Sequence, residues 1–216
     1  MAQPKILPLI LVEEGPPGAA KLSRSQASWA SANGFTGKLG SLLPVPGDAG
    51  GLDGYLFGIG PKIGRPVLGT GLAAAALKPG RYRLEGALAD PTYAALGFRL
   101  GAYRFDRYRA GKAAPELVLP KGADSAEIER QVEAAFLARD LINTPPNDLG
   151  PDAFETEIRA FAARHKMKLR AVVGDDLLKQ NFPMIHAVGR ASSEAPRLLD
   201  LTWGRASDPK ITLVGK

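Results

Sequence analysis

The sequence predicts an α/β protein in two parts: an N-terminal α/β domain with a mixed sheet, a linker helix, and the beginning of a second α/β domain. Three observations predict it. Short apolar or β-branched runs alternate with segments at helical spacing, the pattern of helices layered on a sheet. One long helical segment meets Pro145-Pro146, where neither residue can continue a helix. The chain closes on Ile211-Thr212-Leu213-Val214-Gly215-Lys216, an apolar run of the kind that forms a buried strand and then turns to present a functional side chain.

Taken in order, Ile6 to Val12 reads as a first strand, and Glu13 to Gly18 as a turn rich in Gly and Pro. Ser23 to Ala32 reads as a short helix closed by Asn33-Gly34. Pro44 to Gly51 reads as a loop, because its prolines and glycines favour no regular element. Tyr55 to Ile59 is expected to be a strand, Gly69 to Leu77 a helix closed by Pro79-Gly80, and Tyr82 to Leu88 a strand. A longer helix is expected from Pro91 to Tyr108, and a strand from Glu116 to Leu119.

Asp124 is placed as an N-cap with Glu127 three residues on, a capping-box arrangement. Ile128, Val132, Ala135, Phe136, Arg139 and Ile142 follow at mainly helical spacing. A new unit opens at Gly150-Pro151, with Asp152 as N-cap and Phe154, Ile158, Phe161 and Ala162 along its helix. Leu169 to Val173, Pro196 to Trp203 and Lys210 to Val214 read as strands, and Asp175 to Gln180 as a short helix. The expected boundaries are therefore 1–122 for the first domain, 123–149 for the linker and 150–216 for the second. Counted from Pro151, the second part falls short of the roughly 70–80 residues at which a core becomes comfortable without disulfides or metal. Natural domains seldom stop on an apolar strand, which needs neighbours and a covering layer. The chain is therefore read as the front portion of a larger enzyme.

Composition narrows the class. Hydrophobic residues at 45% and charged residues at 23% describe a globular protein with material for a core. No apolar stretch approaches the roughly 18 residues that span a bilayer. The start, with one Lys and a Pro-interrupted apolar run, is a poor signal peptide. The absence of cysteine excludes disulfides, thiolate metal sites and Cys nucleophiles within the chain. Together these favour a cytoplasmic address and no membrane partner.

The net charge is +6. The dense basic group is Arg81, Arg83, Arg99, Arg104, Arg107, Arg109 and Lys112, with Tyr82, Phe98, Tyr103, Phe105 and Tyr108 among them. A nucleic-acid surface is one reading. An amphipathic helix with buried aromatics and solvated arginines is preferred, because a charge excess alone is a weak signal.

Most other candidate sites have plainer explanations. Gly58-Ile59-Gly60 with Gly64 has the wrong spacing for a dinucleotide loop and reads as a turn or a close backbone approach. His165 and His186 lack partners at metal-ligand spacing. Asp175-Asp176 fits a helix N-terminus better than a catalytic carboxylate pair.

Four blocks carry a more specific signal. They are Ala138-Arg139-Asp140-Leu141-Ile142-Asn143-Thr144-Pro145-Pro146-Asn147 with Gly150-Pro151; Asn181 to Ser192; Ala195-Pro196-Arg197-Leu198; and Leu213-Val214-Gly215-Lys216. In order and spacing they resemble the leucyl (cytosol) aminopeptidase family of two-metal exopeptidases, from about Glu127 to the end. Residues 1–120 resemble the family's variable N-terminal α/β domain more loosely, through Leu100-Gly101-Ala102-Tyr103-Arg104-Phe105.

The resemblance implies that Lys216 is a metal ligand. An amine binds a cation only through its free lone pair, so the site must hold Lys216 neutral against a solution pKa of about 10.4, and nearby divalent cations do so. It further implies two divalent metal ions, Mn or Zn, that activate a water and polarise the scissile carbonyl, with an arginine-held bicarbonate as base. Peptides with a free N-terminus would be the substrates, and a homo-hexamer the assembly. Arg139 and Asn143 to Asn147 would serve structure, not catalysis. Because the further ligands of the family motif have no counterpart in this chain, the chain is expected to be inactive as given. The alternatives are a nucleotide- or nucleic-acid-binding α/β module and a non-catalytic aminopeptidase homologue.

Overall fold

A computed structural model describes residues 5–15, 22–47, 50–111 and 113–215. The chain divides into two compact units, Met1–Asp140 and Leu141–Lys216.

The first unit is built on a sheet of five strands. β1 (Ile6–Val12) lies at its centre, between parallel neighbours β3 (Leu52–Gly58) and β4 (Arg81–Gly86). β5 (Glu116–Val118) extends the sheet parallel to β4, and β2 (Leu42–Pro46) closes the other edge antiparallel to β3. The sheet is thus mixed, as expected. Alternation along β1 divides the core. Leu9 and Leu11 face α2 (Gly71–Ala76) and α3 (Pro91–Gly101), with Phe57, Ala73, Ala74, Tyr82 and Phe98. Ile10 and Val12 face the opposite way, toward α1 (Arg24–Ala32), with Ala30, Phe35 and Leu56. Burying a side chain such as Leu9 or Phe57 contributes about 1.5–3 kcal/mol, so this two-sided core is the unit's main stabiliser.

Local chemistry sets the helix starts. Ser23 caps α1 through a complete capping box with Gln26. Oδ1 of Asp90 accepts the amides of Thr92 at 2.8 Å and Tyr93 at 3.1 Å, and Pro91 occupies the first turn of α3. Asp124 caps α4 (Ser125–Asn143) by accepting the Glu127 amide at 3.0 Å. The Glu127 carboxylate meets Arg130 and the Gln131 amide on the helix itself. Ile128 and Val132 of α4 are buried against Ala95 and Leu96 of α3, while Ile142 is 81% exposed.

Two expectations for this unit are corrected. Leu42–Pro46 is a strand where a loop was expected from Pro44 onward: an edge strand tolerates proline, since its outer side needs no ladder donor. The Pro44 carbonyl accepts instead from the Trp29 indole at 2.9 Å. α3 also ends at Gly101, not at Tyr108. Beyond it, Nη1 of Arg104 donates to the Tyr103 carbonyl at 2.8 Å and the Tyr103 ring packs edge-on against Phe136 at 5.0 Å, so these contacts replace further helix. The dense basic group is therefore no single helix face: it spans β4, α3 and the following segment, with Lys112 outside the described residues.

The expected Glu13–Gly18 turn is described only to Gly15. Gly58 and Gly60 match the close-approach reading. A Cβ on Gly58 would overlap the Lys38 carbonyl oxygen, and Gly60 holds φ at +74°.

In the second unit, β6 (Lys168–Val173) and β7 (Arg197–Thr202) form an antiparallel pair accompanied by α5 (Pro151–Arg164), α6 (Asp176–Lys179) and α7 (Pro183–Gly189). The helix α7 had not been expected. The strand expected at Lys210–Val214 does not form among the described residues. Ile211, Leu213 and Val214 are 86%, 92% and 93% exposed. Among the described residues, no helix is long and apolar enough to cross a membrane.

Candidate functional site

The sequence assigns one site residue, Lys216, and it lies outside the described residues. The segment leading to it, Ile211–Gly215, runs beside the β6–β7 pair. There a hollow of about 290 Å³ is lined by Arg170, Val172, Phe182, Asp200, Leu213 and Gly215. Among the described residues, no three of His, Cys, Asp and Glu come together to hold a metal ion.

A polar cluster does organise this unit. At the start of α5, Oε2 of Glu194 accepts the Asp152 amide at 2.7 Å. The expected cap, Asp152, sits instead inside the first turn after Gly150 and Pro151. A carboxylate from a distant loop reaches this helix end because Gly150 leaves room: a Cβ there would lie 2.6 Å from the Glu194 oxygens. The Asp152 carboxylate meets the Arg197 guanidinium, whose Nη1 also donates to Glu155 at 2.6 Å. Burial would raise the Glu155 pKa, but hydrogen bonds from Arg159 and Arg197 outweigh it and hold the carboxyl below its usual range. Arg197, expected only as part of a family block, is therefore the hub joining β7 to α5.

The titratable pairs take structural places. Nε2 of His186 lies 3.1 Å from Asp175, while Asp176 accepts from Lys179 at 2.7 Å at the start of α6. His165 packs against Phe161 at 4.5 Å. Arg139 donates to the Leu100 carbonyl at 2.6 Å and lies 5.2 Å from the Tyr103 ring centroid. Arginines of the dense basic group are also occupied internally: Arg81 lies 3.8 Å from Glu116, Arg83 binds Glu85, and Arg99 grips Glu129 with both Nη groups at 2.7 and 3.1 Å.

The larger cavity, about 510 Å³, belongs to the first unit and opens at the carboxyl ends of β1, β3 and β4. Its charged residues, Glu13, Lys62, Arg65 and Asp90, were missed in the sequence. The available signal was the glycine-bearing loop Gly58–Gly64 directly after a strand, which reads as a turn when considered alone.

Comparison with known proteins adds to this geometry. Residues 18–120 match the M17 aminopeptidase N-terminal domain, and residues 136–216 match the catalytic domain of the cytosol aminopeptidase family. The chain belongs to the M17 cytosol aminopeptidase family. A probable cytosol aminopeptidase of Streptomyces avermitilis is 31% identical over 95% of this M17 chain and 49% of its own length. One from Streptomyces griseus is 33% identical over 85% of this chain and 43% of its own. The crystal structure of the cytosol aminopeptidase from Coxiella burnetii superposes with a TM-score of 0.78 at 29% identity, covering 97% of this chain and 46% of that one. The bottromycin maturation enzyme BotP, in complex with Mn, gives 0.76 at 28% identity, over 93% of this chain and 45% of its own. This M17 chain thus spans about half the length of these relatives.

The residues described here do not by themselves fit the family's two-metal centre. They offer no cluster of carboxylates, and a lone amine at position 216 is a weak ligand for a divalent cation.

Proposed function

We propose that this chain contributes the N-terminal domain and the opening of the catalytic domain to a metal-dependent leucyl aminopeptidase, which removes N-terminal residues from peptides. The observation that carries the reading is the catalytic-domain match over residues 136–216, which ends on Lys216. Divalent metal is supported by the Mn complex of BotP. Mn or Zn as the ion, and bicarbonate as the base, belong to the proposal. Lys216 is the metal ligand in this reading, and no described residue carries a catalytic role. Arg197, Glu155 and Glu194 keep β7 and α5 together, beside the hollow that borders the last residues. The substrates are peptides with a free N-terminus, the assembly is a homo-hexamer, and the site of action is the cytoplasm, in line with the names of the relatives. The 216-residue chain alone does not hydrolyse peptides in this reading.

The test is made on the natural gene product, purified from its source and weighed intact under denaturing conditions. A product well above 22.8 kDa that releases leucine from a leucyl anilide, and stops when the metal is chelated, supports the reading. Release that ignores chelation, or proceeds equally on an N-acetylated substrate, overturns it. Hydrolysis by the isolated 22.8 kDa chain would overturn its assigned inactivity.

A further inference from the structure

The large cavity of the first unit stands where an open α/β sheet places a ligand. β1 hands the chain to α1 on one face of the sheet, whereas its neighbours β3 and β4 hand it to α2 and α3 on the other. The connections therefore diverge at the carboxyl end of β1, and this divergence opens a crevice. Leu11 and Glu13, Ile59 and Arg65, and Leu88 and Asp90 line it from the ends of the three strands. Its volume of about 510 Å³ lies within the range of roughly 300–1,000 Å³ usual for small-molecule sites.

The lining selects the chemistry. Its floor is apolar, and among the described residues that border it the charges are balanced: Lys62 and Arg65 against Glu13 and Asp90. Nη2 of Arg65 donates to Glu13 at 2.7 Å, yet its Nε is buried with no acceptor. Asp90 commits Oδ1 to the cap of α3 and keeps its charge at the cavity wall. A purely anionic ligand would meet two carboxylates, and a purely cationic one two cations. A molecule bearing both charges beside an apolar body meets each with its complement.

We propose that this cavity binds a free amino acid with a large apolar side chain, its carboxylate toward Arg65 and Lys62 and its ammonium toward Glu13 and Asp90. The side chain lies on the apolar floor formed by Leu11, Ile59 and Leu88. The site belongs to the first unit and does not rest on the peptidase reading.

The test is calorimetric titration of L-leucine and L-phenylalanine into the full 216-residue chain in EDTA, which removes metal chemistry from the result. Saturable binding is expected. Leucinamide, which lacks the carboxylate, and N-acetyl-leucine, which lacks the ammonium, should each bind at least about tenfold more weakly, as removing one partner of a charge pair does. Arg65→Met should lose leucine binding to a similar degree. Should that variant fail to fold, Val67→Trp is the second measurement: Val67 lines the cavity and is 64% exposed, so the indole fills the mouth without entering the core. Binding unaffected by Val67→Trp overturns the proposal. So does the absence of heat up to about 10 mM amino acid, a Kd too weak for a built site. Leucinamide binding as well as leucine, or binding of adenosine monophosphate in place of amino acids, overturns the zwitterionic assignment.

Discussion

Glu194 and Asp152 stand 42 residues apart in sequence, yet Oε2 of Glu194 accepts the Asp152 backbone amide at 2.7 Å. The carboxylate thereby supplies the acceptor that the Gly150 N-cap of α5 cannot, and adds to the negative charge that Asp152 brings to the first turn.

Glu194→Ala should therefore destabilise the second unit by about 1 kcal/mol, the usual cost of a lost N-terminal cap. Asp124→Ala should cost a similar amount at α4, where the cap is local. Urea unfolding followed by far-UV circular dichroism measures both. A neutral Glu194→Ala would show that solvent satisfies this helix end.

Arg197 and Glu155 keep only 11% and 12% of their side-chain surfaces exposed. Arg197→Met leaves the Glu155 carboxylate with Arg159 alone, so a loss of about 2–3 kcal/mol is expected, below the 3–5 of a fully orphaned buried charge. Arg197→Lys should recover part of it, since an ammonium cannot grip Asp152 and Glu155 together as a planar fork does. Equal stability of both variants with the parent would remove Arg197 from the role of hub.

The same pair sets an acid dependence. The Glu155 carboxyl is held below its ordinary range in the folded chain, so its contribution is complete above the unfolded carboxylate value of about 4.3. That contribution is lost as pH falls through the lowered folded value. The stability gap between the parent and Glu155→Gln should be widest near neutrality and close in acid. Urea midpoints measured from neutral pH downward read the gap, and a gap that widens in acid contradicts the assignment.

The contact between α2 and α3 depends on missing side chains. A Cβ on Gly97 would lie 2.6 Å from Thr70 Oγ1 and 2.7 Å from the Leu68 carbonyl. Gly97→Ala gains at most about 1 kcal/mol of helix propensity. The overpacking costs about 1–3 kcal/mol, so net destabilisation is expected. Gly111→Ala, with nothing within 4 Å, should be near neutral. Thermal unfolding of the two variants decides it.

Much of the fold was legible because its signals are local. The Asp124 cap and the stop before Pro145 act through atoms a few residues away, and each lies where the sequence places it. β1 begins and ends at the residues expected, its apolar run being buried on both faces. The edge strand Leu42–Pro46 was hidden by its prolines, since only its position beside β3 makes them acceptable. α3 read too long because Tyr103 and Phe105 continue a helical rhythm that their packing does not follow. The Lys210–Val214 run has strand composition but no partner among the described residues, and composition cannot supply a ladder.

The sequence by itself determined the family and those helices and strands whose caps, breaks and apolar runs are local, because motif spacing and short-range chemistry are written in the chain. Only the tertiary structure decided that Glu194 rather than Asp152 caps α5, and that Arg197 joins two elements. It alone brought Glu13, Lys62, Arg65 and Asp90 to one cavity. These are contacts between residues tens of positions apart. Their distances follow from which strand lies beside which and on which face each helix packs, and no local pattern encodes that.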